Sequence, residues 1–284
     1  MNKKNRSFLK WAGGKFSLTE QINQRLPKGR RLIEPFVGAA SVFLNSDFDE
    51  YLLNDINPDL IEMYKIIKRR PKQFIVDAKY YFQDKFNDEA TYYQLRAEFN
   101  DCTDLYKRSL LFLYMNRHGY NGLCRYNKSG GFNVPFGRYK KPYFPEKELI
   151  FFAEKAKKAT FICKSYQKLF KYLRDDDVLY CDPPYVPLSK SASFTCYSSD
   201  GFTLDDQANL AKLARESKCS VLLSNHDNTL TQELYRDALC DKIQVSRTIS
   251  SQSSTRLPVG EIFALFGADQ KLAAQQNNKI KNSP

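Results

Sequence analysis

Two short apolar runs, Arg31 to Glu34 and Tyr51 to Leu53, open the hydrophobic pattern of the chain. Each is stopped by turn or polar residues, the first at Gly38 and the second at Asn54-Asp55, which predicts short buried strands. Ala39 to Asn45 between them predicts a helix. Asn57-Pro58 then supplies an N-cap and a proline at the first helical position, and Leu60, Ile61, Tyr64 and Ile67 share one helical face until Pro71 stops it. The opening is therefore βαβα. Gln73 to Asn116 carries mainly helical periodicity with little β-branched alternation, so it reads as an insertion into an unfinished sheet. Strand signals return at Val178-Leu179-Tyr180-Cys181 and at Ser220 to Ser224, each brief as in a parallel sheet, and Glu261 to Phe266 reads as a final strand. Ala268 to Pro284 is polar, rich in Gln and Asn, and predicts a loose tail.

Composition narrows the partner more than the fold. The 284 residues are 42% hydrophobic and 27% charged, as in a folded globular chain, but 44 Lys and Arg against 32 Asp and Glu leave a formal charge of +12. That excess favours a polyanion through counterion release. No apolar run of ~18 residues and no secretory segment after Met1 points to a membrane or export, so a cytoplasmic location is expected. Seven scattered cysteines without a C-x-x-C pair predict reduced, mostly buried thiols. His118 and His226 lie far apart without a third ligand nearby, so no metal site is expected and both histidines read as structural or local hydrogen-bonding residues.

Three constellations carry chemistry. Glu34-Pro35-Phe36-Val37-Gly38-Ala39-Ala40 is a strand turning through glycine into a helix, and Asp55 follows Gly38 by 17 residues at the next strand end. At adjacent carboxyl ends of an α/β sheet, the glycine admits a ligand and the carboxylate accepts from ribose hydroxyls, a pattern suited to a nucleoside-bearing cofactor. The three-glycine phosphate fingerprint is missing, and Gly13-Gly14-Lys15 lacks P-loop spacing. Asp182-Pro183-Pro184-Tyr185 follows a buried strand, again at the sheet edge. An exocyclic aromatic amine is a poor nucleophile, because its lone pair is delocalised into the ring. Asp182 and the Pro183 carbonyl can each accept one of its N–H groups, the prolines stiffen the loop, and Tyr185 offers a flat face to an extruded base. An ordinary tight turn and a proline-rich strand exit would account for either motif singly. The third constellation runs from Arg117 to Lys141: Leu105 to Pro145 contains no Asp or Glu but eight cations, Lys107, Arg108, Arg117, Arg125, Lys128, Arg138, Lys140 and Lys141. Glycine turns and aromatic rings alternate with these charges, which suits nucleic-acid contact better than a merely solvated face.

Together these residues resemble the Dam-type DNA adenine methyltransferases, over nearly the whole chain from Phe8 to about Phe266. The resemblance rests on Phe8-Leu9-Lys10-Trp11-Ala12-Gly13-Gly14-Lys15, Glu34 to Gly38, Asn54-Asp55, Asn116-Arg117 with Tyr120 to Arg125, Asn133 to Lys141, Asp182 to Tyr185 and Ser224-Asn225-His226-Asp227. The order of cofactor motif, recognition insertion and catalytic motif is that of the α group of amino-methyltransferases. The resemblance implies an α/β, Rossmann-like methyltransferase core with a mostly parallel seven-stranded sheet, formed by residues 1–55 and 146–270. Residues 56–145 would be a mainly helical target-recognition domain containing a β-hairpin, and 271–284 a tail. It implies S-adenosylmethionine as cofactor, S-adenosylhomocysteine as product, no metal, and a monomer acting on double-stranded DNA.

The resemblance also assigns roles. Trp11, Ala12, Gly13, Lys15, Glu34, Phe36, Gly38, Asp55 and Asp182 would hold the cofactor, and Asp182, Pro183, Pro184 and Tyr185 the target adenine. Lys10, Leu123, Arg125 and Pro135 would read GATC, with Tyr120 and Asn121 near the vacated base. Arg138 would contact phosphate, and Arg117, Asn133, Tyr139 and Lys140 complete the DNA-binding set. The departures are Ala40, where the cofactor turn often has a second glycine, and Gln252-Ser253-Ser254 in place of a more glycine-rich loop. Two other readings stay open: the same core acting on RNA or a protein amide, where related protein-glutamine enzymes usually carry Asn in place of Asp182, and a DNA-binding protein with a dead site.

Overall fold

The computed structural model describes residues 4–185, 201–245 and 259–267. Its strands are β1 (Arg31–Glu34), β2 (Glu50–Asn54), β3 (Ala159–Ile162), β4 (Asp177–Cys181), β5 (Ser220–His226), β6 (Leu239–Val245) and β7 (Val259–Phe266), in one seven-stranded sheet of order β3-β2-β1-β4-β5-β7-β6. β1 to β5 pair in parallel, whereas β7 runs antiparallel between β5 and β6. The mostly parallel seven-stranded sheet expected from the resemblance is thus present. The chain winds outward from β1 through β2 to β3, then returns to β4 and winds the other way. A crevice therefore opens at the carboxyl ends of β1 and β4, the switch point where α/β sheets bind ligands.

Helices flank this sheet. They are α1 (Thr19–Arg25), α2 (Ser41–Asn45), α3 (Pro58–Arg69), α4 (Pro71–Tyr80), α5 (Glu89–Asp101), α6 (Leu105–His118), α7 (Glu146–Lys155), α8 (Tyr166–Leu169), α9 (Leu204–Arg215) and α10 (Thr229–Leu234). Side chains alternate across a strand, so Leu32 and Leu53 enter a core with Tyr64, Phe112 and Phe152, while their neighbours Ile33 and Leu52 enter a second core with Leu210 and Tyr235. The first core continues without a break into Tyr92, Phe99 and Phe132. Helices α3 to α6 therefore share the core that covers one face of the sheet, α3 against β3 and α4 and α5 against α6. α3 starts as the sequence predicts, with Asn57 Oδ1 accepting from the Leu60 N–H and Pro58 in the first turn. None of the described helices is long and apolar enough to cross a membrane.

Two sequence expectations need adjustment, and two strands went unforeseen. The helix predicted from Ala39 begins at Ser41, because Ala40 takes a left-handed conformation with φ of 61°. The strands β3 and β6 carried no clear signal: β3 is four residues long and β6 is an edge strand with most positions exposed. The glycine-rich stretch after α6 folds back on itself through two isolated bridges, Gly119 to Phe136 and Tyr126 to Phe132, without continuous strands. Finally, Gln252-Ser253-Ser254 and the tail lie outside the described residues. His118 is structural as expected. It is buried, its Nδ1 lies 3.1 Å from the Tyr114 carbonyl, and burial pulls its pKa down to about 4.

Candidate active site

β1 runs into Pro35-Phe36-Val37-Gly38, and β2 and β4 deliver Asp55 and Asp182 immediately past their last residues. Gly38 has φ of 44°, and a methyl there would stand 2.9 Å from the indole nitrogen of Trp11. Only glycine allows this turn and this indole to coexist. The Gly38 N–H donates to Asp55 Oδ2 at 3.0 Å, the Asn57 N–H donates to Oδ1 at 3.0 Å, and the Tyr64 hydroxyl donates to the Gly38 carbonyl at 2.6 Å. Burial raises the pKa of Asp55, and the N–H groups of Asn57, Gly38 and Ile56 oppose that rise. A carboxylate offers about four acceptor sites, so with the Asn57, Gly38 and Ile56 N–H groups on it Asp55 retains capacity for one ligand hydroxyl.

The segment Trp11 to Lys15 closes the crevice from the other side. Gly13 is left-handed with φ of 73°, Gly14 donates to the Trp11 carbonyl at 3.2 Å, and Ala12 lies within this turn. Lys15 is buried, and its ammonium lies 2.8 Å from Asp182 Oδ1, 3.1 Å from the Gly13 carbonyl and 4.4 Å from the Tyr185 ring centroid. Ser224 Oγ donates to the same Asp182 oxygen at 3.2 Å and is itself 2.9 Å from the Tyr180 hydroxyl. Oδ2 of Asp182 accepts from none of the described residues.

The rest of the Asp182–Tyr185 loop is pinned. Gln207 donates to the Pro184 carbonyl at 2.7 Å and is held by Asn225 at 3.0 Å, while Pro183 is buried. The Tyr185 hydroxyl donates to Glu261 Oε1 at 2.6 Å, and its ring meets His226 edge-on at 4.8 Å. His226 thus packs against the loop at the site. Burial raises Glu261, with Lys15 opposing. Beneath the crevice Glu34 is buried with Oε1 unpartnered among the described residues, and burial, aided by the charge of Asp182, pushes it up to about 8 against the Phe43 N–H. Phe36 packs on Tyr166 and Phe202. Glu261 and the Lys15 to Asp182 pair escaped the sequence reading. The only signal for Glu261 was a lone carboxylate heading an apolar run. Among the described residues no group of three or more His, Cys, Asp or Glu is placed to hold a metal ion.

A profile of the D12 class of N6 adenine-specific DNA methyltransferases matches residues 11–249. The chain belongs to this family. DNA adenine methylases of Vibrio cholerae, Serratia marcescens and Escherichia coli K12 are 58%, 54% and 54% identical to it, each over 93% of this chain and 97%, 99% and 96% of their own length. The D12 methyltransferases are S-adenosylmethionine-dependent enzymes, and the unpartnered Oε1 of Glu34, the spare acceptor of Asp55 and the glycine turn under Trp11 fit that cofactor.

The basic stretch of this D12 methyltransferase lies beside the crevice. Asn116 ties Lys10 to α6 by accepting the Lys10 N–H at 2.9 Å and donating to its carbonyl at 2.7 Å, and the Lys10 ammonium stands 3.7 Å from the Tyr139 ring centroid. Arg117 is buried and donates to the Tyr143 carbonyl at 3.1 Å. Burial and then the Arg117 charge bring Lys10 down to about 8, and burial also lowers Arg117. Tyr120, Asn121, Arg125, Pro135, Arg138 and Lys140 are exposed, and Leu123 is half-buried. Asn133 holds Arg125, accepting from Nε at 2.7 Å through Oδ1 and from Nη2 at 3.1 Å through its carbonyl. Not all eight expected cations face a partner freely. Arg108 and Lys107 are turned to Asp59 and Glu98, and Arg138 lies 3.3 Å from Glu89, because carboxylates distant in sequence fold against them.

Proposed function

We propose that the chain transfers the methyl group of S-adenosylmethionine to N6 of the adenine in GATC, after that base is flipped out of the duplex, leaving S-adenosylhomocysteine. The carrying observation is the division of labour at Asp182: Lys15 and Ser224 occupy Oδ1, and Oδ2 is left for a substrate N–H. Asp182 Oδ2 and the Pro183 carbonyl take the two amino hydrogens, which orients the nitrogen lone pair toward the cofactor crevice. Tyr185 supports the base plane, its own position fixed by Glu261 and Lys15. The cofactor when bound supplies an electrophilic methyl group. Alkylation makes the nitrogen strongly acidic, so Asp182 has only to accept a hydrogen bond or a late proton, and the reaction as written calls on no metal.

Residues 56–145 form the recognition domain in this reading, with residues 1–55 and 146–270 as the catalytic core. Lys10, Leu123, Arg125 and Pro135 read base edges, Tyr120 and Asn121 fill the vacated position, and Arg117, Asn133, Arg138, Tyr139 and Lys140 complete the contact to the duplex. One subunit acts alone, in the cytoplasm, on double-stranded DNA. The supporting observation is that Arg125 projects outward with its guanidinium oriented by Asn133, the preorganisation that a forked contact to guanine O6 and N7 requires. The decisive test is Asp182→Asn, which keeps the size and the Ser224 contact. Methyl transfer to GATC duplexes should fall at least ~10²-fold with duplex affinity retained. Near-normal turnover would remove Asp182 from the catalytic role, and equal methylation of duplexes lacking GATC would remove the site assignment.

A further inference from the structure

The turn that follows β2 touches two different things at once. Asp55 accepts the Asn57 N–H at 3.0 Å, and Asn57 reaches the other way, donating through Nδ2 to Cys124 Sγ at 3.4 Å. Two residues on, Asp59 Oδ2 accepts the Tyr126 hydroxyl at 2.6 Å, and Arg108 grips both carboxylate oxygens at 2.5 and 3.1 Å. Arg108 is locked in turn by the carbonyls of Phe99 at 2.6 Å and Cys102 at 3.3 Å. The Asp59 carboxylate is almost fully shielded and sits in the first turn of α3, where a negative charge is favoured.

Burial alternates over Cys124, Arg125 and Tyr126, the last of which is bridged to Phe132. Cys124 is buried and Tyr126 bonded inward, while Arg125 between them is exposed and held by Asn133. The inward pair rests on the 55–59 turn, and the outward residue is the one assigned to guanine. We propose that Asp59, Arg108 and Tyr126, with the Asn57 to Cys124 contact, are positioning residues that couple cofactor occupancy to DNA reading. A ligand hydroxyl on Asp55 fixes the 55–59 turn, and the fixed turn holds Arg125 ready for the duplex. The inference rests on the assignment of Asp55 to the cofactor and of Arg125 to the DNA.

Linkage makes the coupling reciprocal: a duplex must tighten cofactor binding by the same factor that cofactor tightens duplex binding. The test measures the dissociation constant of S-adenosylhomocysteine by calorimetry on the free enzyme and on enzyme saturated with a GATC duplex. The ratio for the native chain is expected to reach ~5 or more, the lower end of ordinary coupling. Tyr126→Phe, which removes one oxygen and leaves Asp59 paired with Arg108, should cut that ratio at least threefold while affinity for the free enzyme stays within twofold. Cys124→Ala should cut it in the same sense. A merely structural role for Tyr126 would lower the melting temperature and leave the ratio unchanged, and that result overturns the proposal, as does a native ratio of one. Asp55→Ala on the free enzyme separates the two levels of inference. Unaltered S-adenosylhomocysteine affinity there refutes the site assignment and the coupling with it, whereas weakened affinity together with an unmoved Tyr126→Phe ratio refutes the coupling alone.

Discussion

Replacing Gly38 by alanine and Ala40 by glycine tests the cofactor turn at two left-handed positions that differ in their surroundings. Both residues have positive φ, 44° and 61°. A non-glycine residue there carries ~1–2 kcal/mol of backbone strain. At Gly38 the added methyl would also meet the Trp11 indole at 2.9 and 3.2 Å, contacts a rigid ring relieves only by moving. Overpacking of this kind costs ~1–3 kcal/mol, and the lower entropy of the unfolded alanine chain returns ~0.4–1. Gly38→Ala should therefore lose ~2–4 kcal/mol, a fall of ~3–7 °C in Tm for a chain of this size. Displacing Trp11 should also weaken S-adenosylmethionine binding. Ala40 is already fully buried in the same strained region. Glycine there relieves ~1–2 kcal/mol of strain. Against that, ~0.8 kcal/mol of methyl burial is lost. A further ~0.5–1 kcal/mol of backbone entropy opposes folding, so the net change lies near zero. Thermal unfolding with calorimetric titration of the cofactor reads both variants. Equal destabilisation by the two changes, or normal cofactor affinity in Gly38→Ala, would refute the steric account of this turn.

Arg125→Ala should cost ~1–3 kcal/mol on GATC duplexes and relax discrimination at one guanine-bearing pair, read from methylation rates on singly substituted sites. Arg138→Ala, after its exposed contact to Glu89 is discounted, should weaken all duplexes alike and flatten the slope of log K against log salt by about one. Glu34 is held near pKa 8, above its unfolded value, so the native state binds the extra proton between about pH 4.5 and 8 and stability falls as pH rises through that window. Glu34→Gln should abolish that part of the decline, so the gap in Tm between variant and native chain should shift toward the variant from pH 5 to pH 8; a pH-independent gap would show Glu34 to be ionised. Asp177 is fully buried and binds Arg31 at 2.8 and 2.7 Å across β1 and β4. Asp177→Ala strands that guanidinium and should cost ~3–5 kcal/mol in denaturant unfolding, and a loss under 1 kcal/mol would mean the pair is solvated.

The elements that position the site were legible because they are written locally. The run Arg31 to Glu34 is β1 to the residue, and Asn57-Pro58 caps α3 as the pair predicts, since hydrogen bonding over three or four residues depends on little else. The Asp182 loop and the glycine turn likewise announced their places at strand ends. Residue type was also enough to name candidate ligands for a nucleoside and a duplex. The partners of those residues were not legible. Tyr185 meets Glu261 across 76 positions, Asn57 meets Cys124 across 67, and Arg31 meets Asp177 across 146. Which distant residues meet is decided by strand order and by the packing of α3 and α6 on one sheet face. Tertiary structure also withdrew Arg108 from the expected basic surface by setting it on Asp59, and gave β6 its place only as an edge beside β7. Short-range hydrogen bonding fixes what each segment is, and only burial against the rest of the chain fixes what its side chains touch.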